Sequence, residues 1–345
     1  MQTEITEKGP LLNEDGSLAA RGWARTLIRD YERSAIKAPA HRIKEWDYYY
    51  TGNSRFGVAL TVADNSYMGL LSASLLEFGE APRETTKSVM TLLPLGSFNM
   101  PSTSTEGDVH FENKSCQFLF SNDGGGTRRL LAQMSGFEKG LDFACDITLA
   151  DEPPESIVMM TPFAENKRAF YYNQKINCLR ASGAASVGDK IYEFDPAESF
   201  AVLDWGRGVW TYSNTWYWGS ASGLVGGRPF GFNIGYGFGD VSAASENIVF
   251  YEGRGHKLSQ VNFGIPMKDG REDYLSKWSF TSDDGRFEME FSPLIDRASC
   301  TSALIIKSDQ HQVFGIFSGR VRLDGGETLE IKELPGFAEK VANRW

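Results

Sequence analysis

WTYSNTWYWGSASGLVGGRPFGFNIGYGFG, residues 210–239, reads as two strands joined by a turn. With the two-residue period of a strand, Trp210, Tyr212, Asn214, Trp216, Trp218 and Ser220 share one face, and Thr211, Ser213, Thr215, Tyr217 and Gly219 share the other. Beyond SGLVGGRP, Phe230, Phe232, Ile234, Tyr236 and Phe238 stand opposite Gly231, Asn233, Gly235, Gly237 and Gly239. A glycine face marks the close approach of another group or a curved barrel corner. The two runs are therefore expected to pair in a barrel wall, where the tryptophans either fill the core or border a pocket.

The same period extends outward from this stretch. RFGVALTV sets Phe56, Val58, Leu60 and Val62 against Gly57, Ala59 and Thr61, and DFACDITL sets Phe143, Cys145, Ile147 and Leu149 against Ala144, Asp146 and Thr148. In FTSDDGRFEMEF, Phe287, Met289 and Phe291 share a face that Glu288 and Glu290 do not. Hairpin chemistry separates such runs at Asp64-Asn65, Asp123 to Gly126, Asp284-Gly285 and Asp324 to Gly326. Many short strands with tight turns predict an all-β, antiparallel sandwich or barrel, and barrels remove the open sheet edges that invite aggregation. Short peripheral helices are expected twice. Trp23, Leu27, Ile28, Tyr31 and Ala35 lie at helical spacing in residues 21–37, and Phe337, Val341 and Trp345 lie four apart at the other end.

A chain of 345 residues exceeds the size at which one core stops growing, which predicts two domains. The small, polar RASGAASVGD at 180–189 places the junction, giving an N-terminal segment 1–40, a first barrel 41–184 and a second barrel 185–345. The net charge of −10 argues against a nucleic-acid partner, because such binding draws on lysine and arginine. Neither a signal-peptide pattern nor a run of about 18 apolar residues is present, so a soluble, cytoplasmic chain is expected. Cys116, Cys145, Cys178 and Cys300 are far apart, without metal-ligand spacing, and no metal or redox cofactor is indicated.

Polar residues among the aromatics supply the candidate site. Asp204 with Arg207 is most simply a structural ion pair, its guanidinium stacked on Trp205 or Trp210. Glu246 and Asn247 enter an apolar strand directly before Ile248, where a buried acid needs a partner or a raised pKa. Asp204 and Glu246 are the candidate proton donors. Arg207, Trp210, Tyr212, Asn214, Trp216, Trp218, Asn233 and Asn247 are the candidate ligand contacts. His256 and His311 would qualify as acid or base only if they faced a cavity.

VLDWGRGVWTYSNTWYWGSASG, FGFNIGYGFGD running into SENIVFYEG, HQVFGIFSG and the closing GFAEKVANRW together resemble domain-of-unknown-function family 2804. The resemblance runs from NEDGSLAARGWAR to Trp345 and implies no established activity. More distantly the chain is similar to two-domain lipocalin-like proteins that include hydroxyneurosporene synthase, a carotenoid hydratase. That similarity implies two tandem calycin-type antiparallel barrels with a ligand site in or between them, and it assigns no catalytic residue here. Three functions are compatible with these residues. They are binding of a hydrophobic lipid or isoprenoid-like molecule, hydration, isomerisation or cyclisation of such a molecule, and carbohydrate binding or cleavage by paired acids in an open groove.

Overall fold

The structure is a computed structural model that describes residues 2–303 and 306–344. Two large antiparallel sheets of thirteen and nine strands dominate it, each curled into a lipocalin-like half-barrel. The main path of the first runs Arg83–Leu92, Met68–Glu77, Phe56–Asp64, Ile43–Gly52, Phe200–Val209, Asn166–Val187, Leu141–Ala150, Arg128–Glu138, Cys116–Asn122 and Val109–Glu112. The second runs Arg254–Lys257, Ile248–Tyr251, Arg228–Tyr236, Ser213–Val225, Thr328–Arg344, Ile306–Arg322, Phe287–Ala303, Trp278–Ser282 and Val261–Gly264.

Alternation does what the residue pattern requires. Phe56, Val58, Leu60 and Val62 enter the first core together with Phe143, Cys145, Ile147 and Leu149. Phe287, Met289 and Phe291 meet Phe230, Phe232 and Ile234 in the second. Each such buried ring or branched side chain contributes about 1.5–3 kcal/mol by leaving water. Side chains draw the first curl together where no strand ladder does. Lys87 Nζ donates to the carbonyls of Ser135 (2.7 Å) and Gly136 (3.0 Å), and Arg83 pairs with Glu138 at 2.6 Å.

Both expected helices are replaced by extended chain. Residues 21–37 contain the strands Gly22–Ala24 and Arg29–Asp30, and helix is confined among the described residues to the 3-10 turns Arg33–Ala35 and Ala40–Arg42. Trp23 pairs with Met159, because the edge of the strand Ile157–Phe163 offers a hydrogen-bonded partner that an isolated short helix would lack. The terminal segment is the strand Thr328–Arg344, clamped between two neighbours that satisfy its backbone on both sides, while Trp345 lies outside the described residues. Residues 180–189 end the strand Asn166–Val187 and turn into Lys190–Phe194, a hairpin within the first sheet that pairs Ala184 with Glu193, and the chain crosses between sheets from Val209 to Ser213. Among the described residues no helix is long and apolar enough to cross a membrane.

The two sheets meet face to face along a seam. Tyr48, Tyr50 and Val202 of the first pack there against Trp218, Phe314 and Phe337 of the second. The glycine face of Arg228–Tyr236 lies on this seam. A Cβ on Gly231 would fall 2.7 Å from Cys178 Sγ, so the strand Asn166–Val187 approaches closer than a side chain would allow.

Candidate functional site

Strand parity builds the site. In Phe200–Val209 the residues Leu203, Trp205 and Val209 enter the first core, which sends Val202 and Asp204 to the seam. In Thr328–Arg344 the same rule sends Phe337 to the seam, with Glu339 beside it, while Ala338 enters the second core. Charged groups from both sheets converge here.

Lys175 stands at the centre, its side chain 3% exposed. Its Nζ is 3.1 Å from Asp204 Oδ1 and 3.9 Å from Glu246 Oε2, and lies 4.1 Å above the Trp218 ring. Asn173 Nδ2 donates to Asp204 Oδ1 at 2.5 Å. Asn233 links the second sheet, accepting from Trp218 Nε1 at 2.7 Å and donating to Glu246 Oε2 at 3.0 Å. Glu339 accepts from Trp216 Nε1 at 2.8 Å and from Gln312 Nε2 at 2.9 Å.

Two carboxyl groups thus share one ammonium in a low-dielectric setting, and a third, Glu339, stands nearby under the charges of Lys175 and Arg297. Burial raises the pKa of Glu246, with Lys175 and the Asn233 hydrogen bond opposing it. Glu339 is pushed up to about 7 by burial, against its Trp216 hydrogen bond and the charges of Lys175 and Arg297. A carboxyl group at that value exchanges its proton readily at neutral pH. The adjacent Tyr171 hydroxyl, 3.4 Å from Lys175 Nζ, is held well above its ordinary range by burial and by the negative charge of Glu246.

An aromatic mouth adjoins the charges. Trp46 stacks on Tyr171 with centroids 6.0 Å apart, and Trp210 meets Trp46 edge-on at 5.2 Å and Trp216 at 5.9 Å. Trp210 and Trp216 remain half-buried, whereas Trp218 is 5% exposed. The indole face therefore looks onto the other sheet across the seam and not into the second barrel. Cavities of about 230 and 310 Å³ lie elsewhere. The first is at the far end of the seam, beside Tyr50, Phe200, Ser220 and Phe337, and the second is beside Cys178 and Arg180.

Of the residues singled out in the sequence, Asp204, Glu246, Asn233, Trp216 and Trp218 come together, with Trp210 at the mouth. Arg207 does not pair with Asp204. A separation of three puts them on opposite faces of the strand, so Arg207 enters the first barrel, meets Asp47 at 3.0 Å and stacks 4.4 Å from Trp205. Asn214 donates to Thr211 O at 2.8 Å, closing the turn between the sheets, and Tyr212 is 44% exposed. Asn247 ties Gly235 N to Ser259 O, a backbone latch. His311 bonds Asp296 at 2.7 Å and stacks on Tyr274, and His256 lies 3.2 Å from Asp324. Sequence reasoning missed Lys175, Glu339, Tyr171 and Trp46. A lone lysine inside YYNQKINCL carried a usable signal, and Glu339 was hidden by reading its segment as helix.

With this geometry in hand, the chain belongs to the family described as Domain of unknown function (DUF2804), which matches residues 2–345. No curated protein matches the sequence significantly. Among solved structures it is similar to kievitone hydratase from Nectria haematococca, at 12% identity over 98% of both chains and a TM-score of 0.54. CghA, solved with Sch210972, is 10% identical over 97% of both chains at 0.55. A protein assigned as AttH from Nitrosomonas europaea is 14% identical over 87% of this chain and 92% of its own, at 0.52. At these identities the likeness establishes the fold alone, a nearly all-β lipocalin-like architecture of two curled antiparallel sheets.

Proposed function

We propose that the protein takes a hydrophobic small molecule into the mouth of the seam and exchanges protons with it, as a cofactor-independent hydratase, isomerase or cyclase. The observation that carries this reading is Glu339, a buried carboxyl group at about pKa 7 held by Trp216, whose ring also walls the mouth. Asp204 and Glu246 share Lys175 beside it, so one acid can give a proton while its neighbours hold negative charge against a developing cation. For a hydration, the proton of the carboxylic acid bonds to one alkene carbon and the hydroxide of water to the other. The remaining proton of that water restores the acid. The indoles exclude solvent and face electron-poor carbon. That one fold neighbour is named a hydratase and another was solved with a small molecule is consistent with this use of the fold.

Incubation of the purified protein with an organic extract of its host in D₂O tests the reading. Native mass spectrometry is expected to show a retained apolar molecule, and that molecule is expected to gain deuterium. Glu339→Gln is expected to keep the molecule and lose about a hundredfold or more of the exchange rate, within the range typical of general acids. Retention without exchange would leave a carrier, and no retained molecule would overturn the proposal.

A further inference from the structure

The aromatic mouth is occupied by the chain itself. Phe238 inserts its ring between Trp210 (4.8 Å, 77°), Tyr171 (4.8 Å, 79°), Trp216 (5.2 Å, 78°) and Phe163 (5.3 Å, 85°). All four contacts are edge-to-face, the geometry in which aromatic rings attract most specifically. Two of the four walls touch the acid cluster directly, Trp216 through Glu339 and Tyr171 through Lys175.

Phe238 reaches this slot by leaving its strand. Alternation alone would set it with Phe230, Phe232 and Ile234 inside the second barrel, but the strand Arg228–Tyr236 ends two residues earlier. Gly237 at φ +93° and Gly239 at φ +74° then turn the chain outward, conformations that an L side chain rarely adopts. The connection from 237 to 247 crosses the seam, where Asp240 N donates to Pro162 O at 2.7 Å. Its far end carries Glu246 and is fastened by Lys257, whose Nζ donates to Ser245 O at 2.6 Å and Asn247 O at 2.9 Å. One segment of chain therefore holds both the ring in the slot and one of the acids.

We propose that this slot is a subsite for a planar, uncharged six-membered ring of the ligand, for which Phe238 stands in, and that ligand binding expels Phe238 by lifting residues 237–240. The inference rests on the seam being the ligand site and adds the class of group that it selects. A linear chain lacks the faces and edges that four perpendicular neighbours reward. An uncharged ring matches the group that the slot already holds, the phenyl ring of Phe238. The reactive part of the ligand would then be a substituent that projects from the ring along Trp216 toward Glu339.

The test uses the neutral naphthalene dye prodan, with 1-dodecanol as the linear competitor. Wild-type protein is expected to bind prodan with quenching of tryptophan fluorescence and with faster hydrogen exchange at the Asp240 amide, because its bond to Pro162 O must open. In Phe238→Ala the internal competitor is gone, and prodan affinity is expected to rise by about tenfold or more, as removal of an occluded state allows. Dodecanol affinity is expected to stay unchanged. If wild-type protein binds prodan while Asp240 exchange and the affinity of Phe238→Ala stay unchanged, the ring subsite is wrong although the seam reading survives. If neither protein binds either compound, both fall. Should Phe238→Ala fail to fold, the exchange measurement on wild-type protein decides alone.

Discussion

One strand supplies two buried ion pairs with opposite characters. On its inner face Arg207 is fully buried and saturated, donating to Asp47 (3.0 Å), Trp46 O (2.8 Å), Gly206 O (2.8 Å) and, through Nη2, Pro101 O (2.8 Å). On its outer face Asp204 shares one lysine with Glu246, and Glu339 stands nearby with a raised pKa. The first pair is locally closed, because every donor has an acceptor and the loop at Pro101 is tied down. In the second, Asp204 and Glu246 share Lys175, and among the described residues Glu339 is held by Trp216 and Gln312 without a cation within 4 Å, an arrangement that is costly unless a proton or a ligand resolves it. The difference separates a scaffold element from a candidate site better than burial does, since both are buried.

The comparison can be broken most sharply at Arg207. Arg207→Met removes the cation that pairs with Asp47 and leaves that buried carboxyl group without its hydrogen-bonded partner, and a loss of about 3–5 kcal/mol is expected in urea denaturation. A loss below about 1 kcal/mol would mean that the inner pair is not the scaffold described here.

The seam predicts a smaller, pH-dependent effect. The folded-state pKa of Glu339, about 7, exceeds the ordinary 4.5, so the stability that it contributes is fully present below about pH 4.5 and is lost as pH rises through 7. Wild-type stability is therefore expected to fall relative to Glu339→Gln between these limits, by at most about 1.4 kcal/mol per pH unit. Parallel curves across that window would show that the carboxyl group is already ionised when buried. The smallest effect is expected at Arg129, paired with Asp146 at 2.6 Å on the open face of the first barrel, both more than half exposed. Arg129→Gln is expected to leave the denaturation midpoint unchanged. A measurable shift there would weaken the distinction between exposed and seam charges.

Much of the fold was legible because strand sequences state which side chains share a face. Phe143, Cys145, Ile147 and Leu149 could point only one way together, and Asp123 to Gly126 could only turn. Phe337 and Val341 misled because a spacing of four fits a helical face and also fits a strand, in which both are even steps apart. Tertiary pairing decided between them by satisfying the backbone of Thr328–Arg344 on both sides. At the site, Trp216 and Trp218 were legible as a face and Asp204 as a candidate acid, but what lies across from that face was invisible.

By itself, then, the sequence determined an all-β chain with two alternating cores, the aromatic face of residues 210–220 and the glycine face opposite Phe230 and Phe232. Only the tertiary structure decided that the aromatic face meets Lys175 and Glu339, that Arg207 answers Asp47, and that Phe238 turns outward into the slot. The physical reason is one of range. Alternation is fixed by the geometry of neighbouring peptides, whereas hydrogen bonds and ion pairs act over about 3 Å between atoms that folding brings together from distant positions.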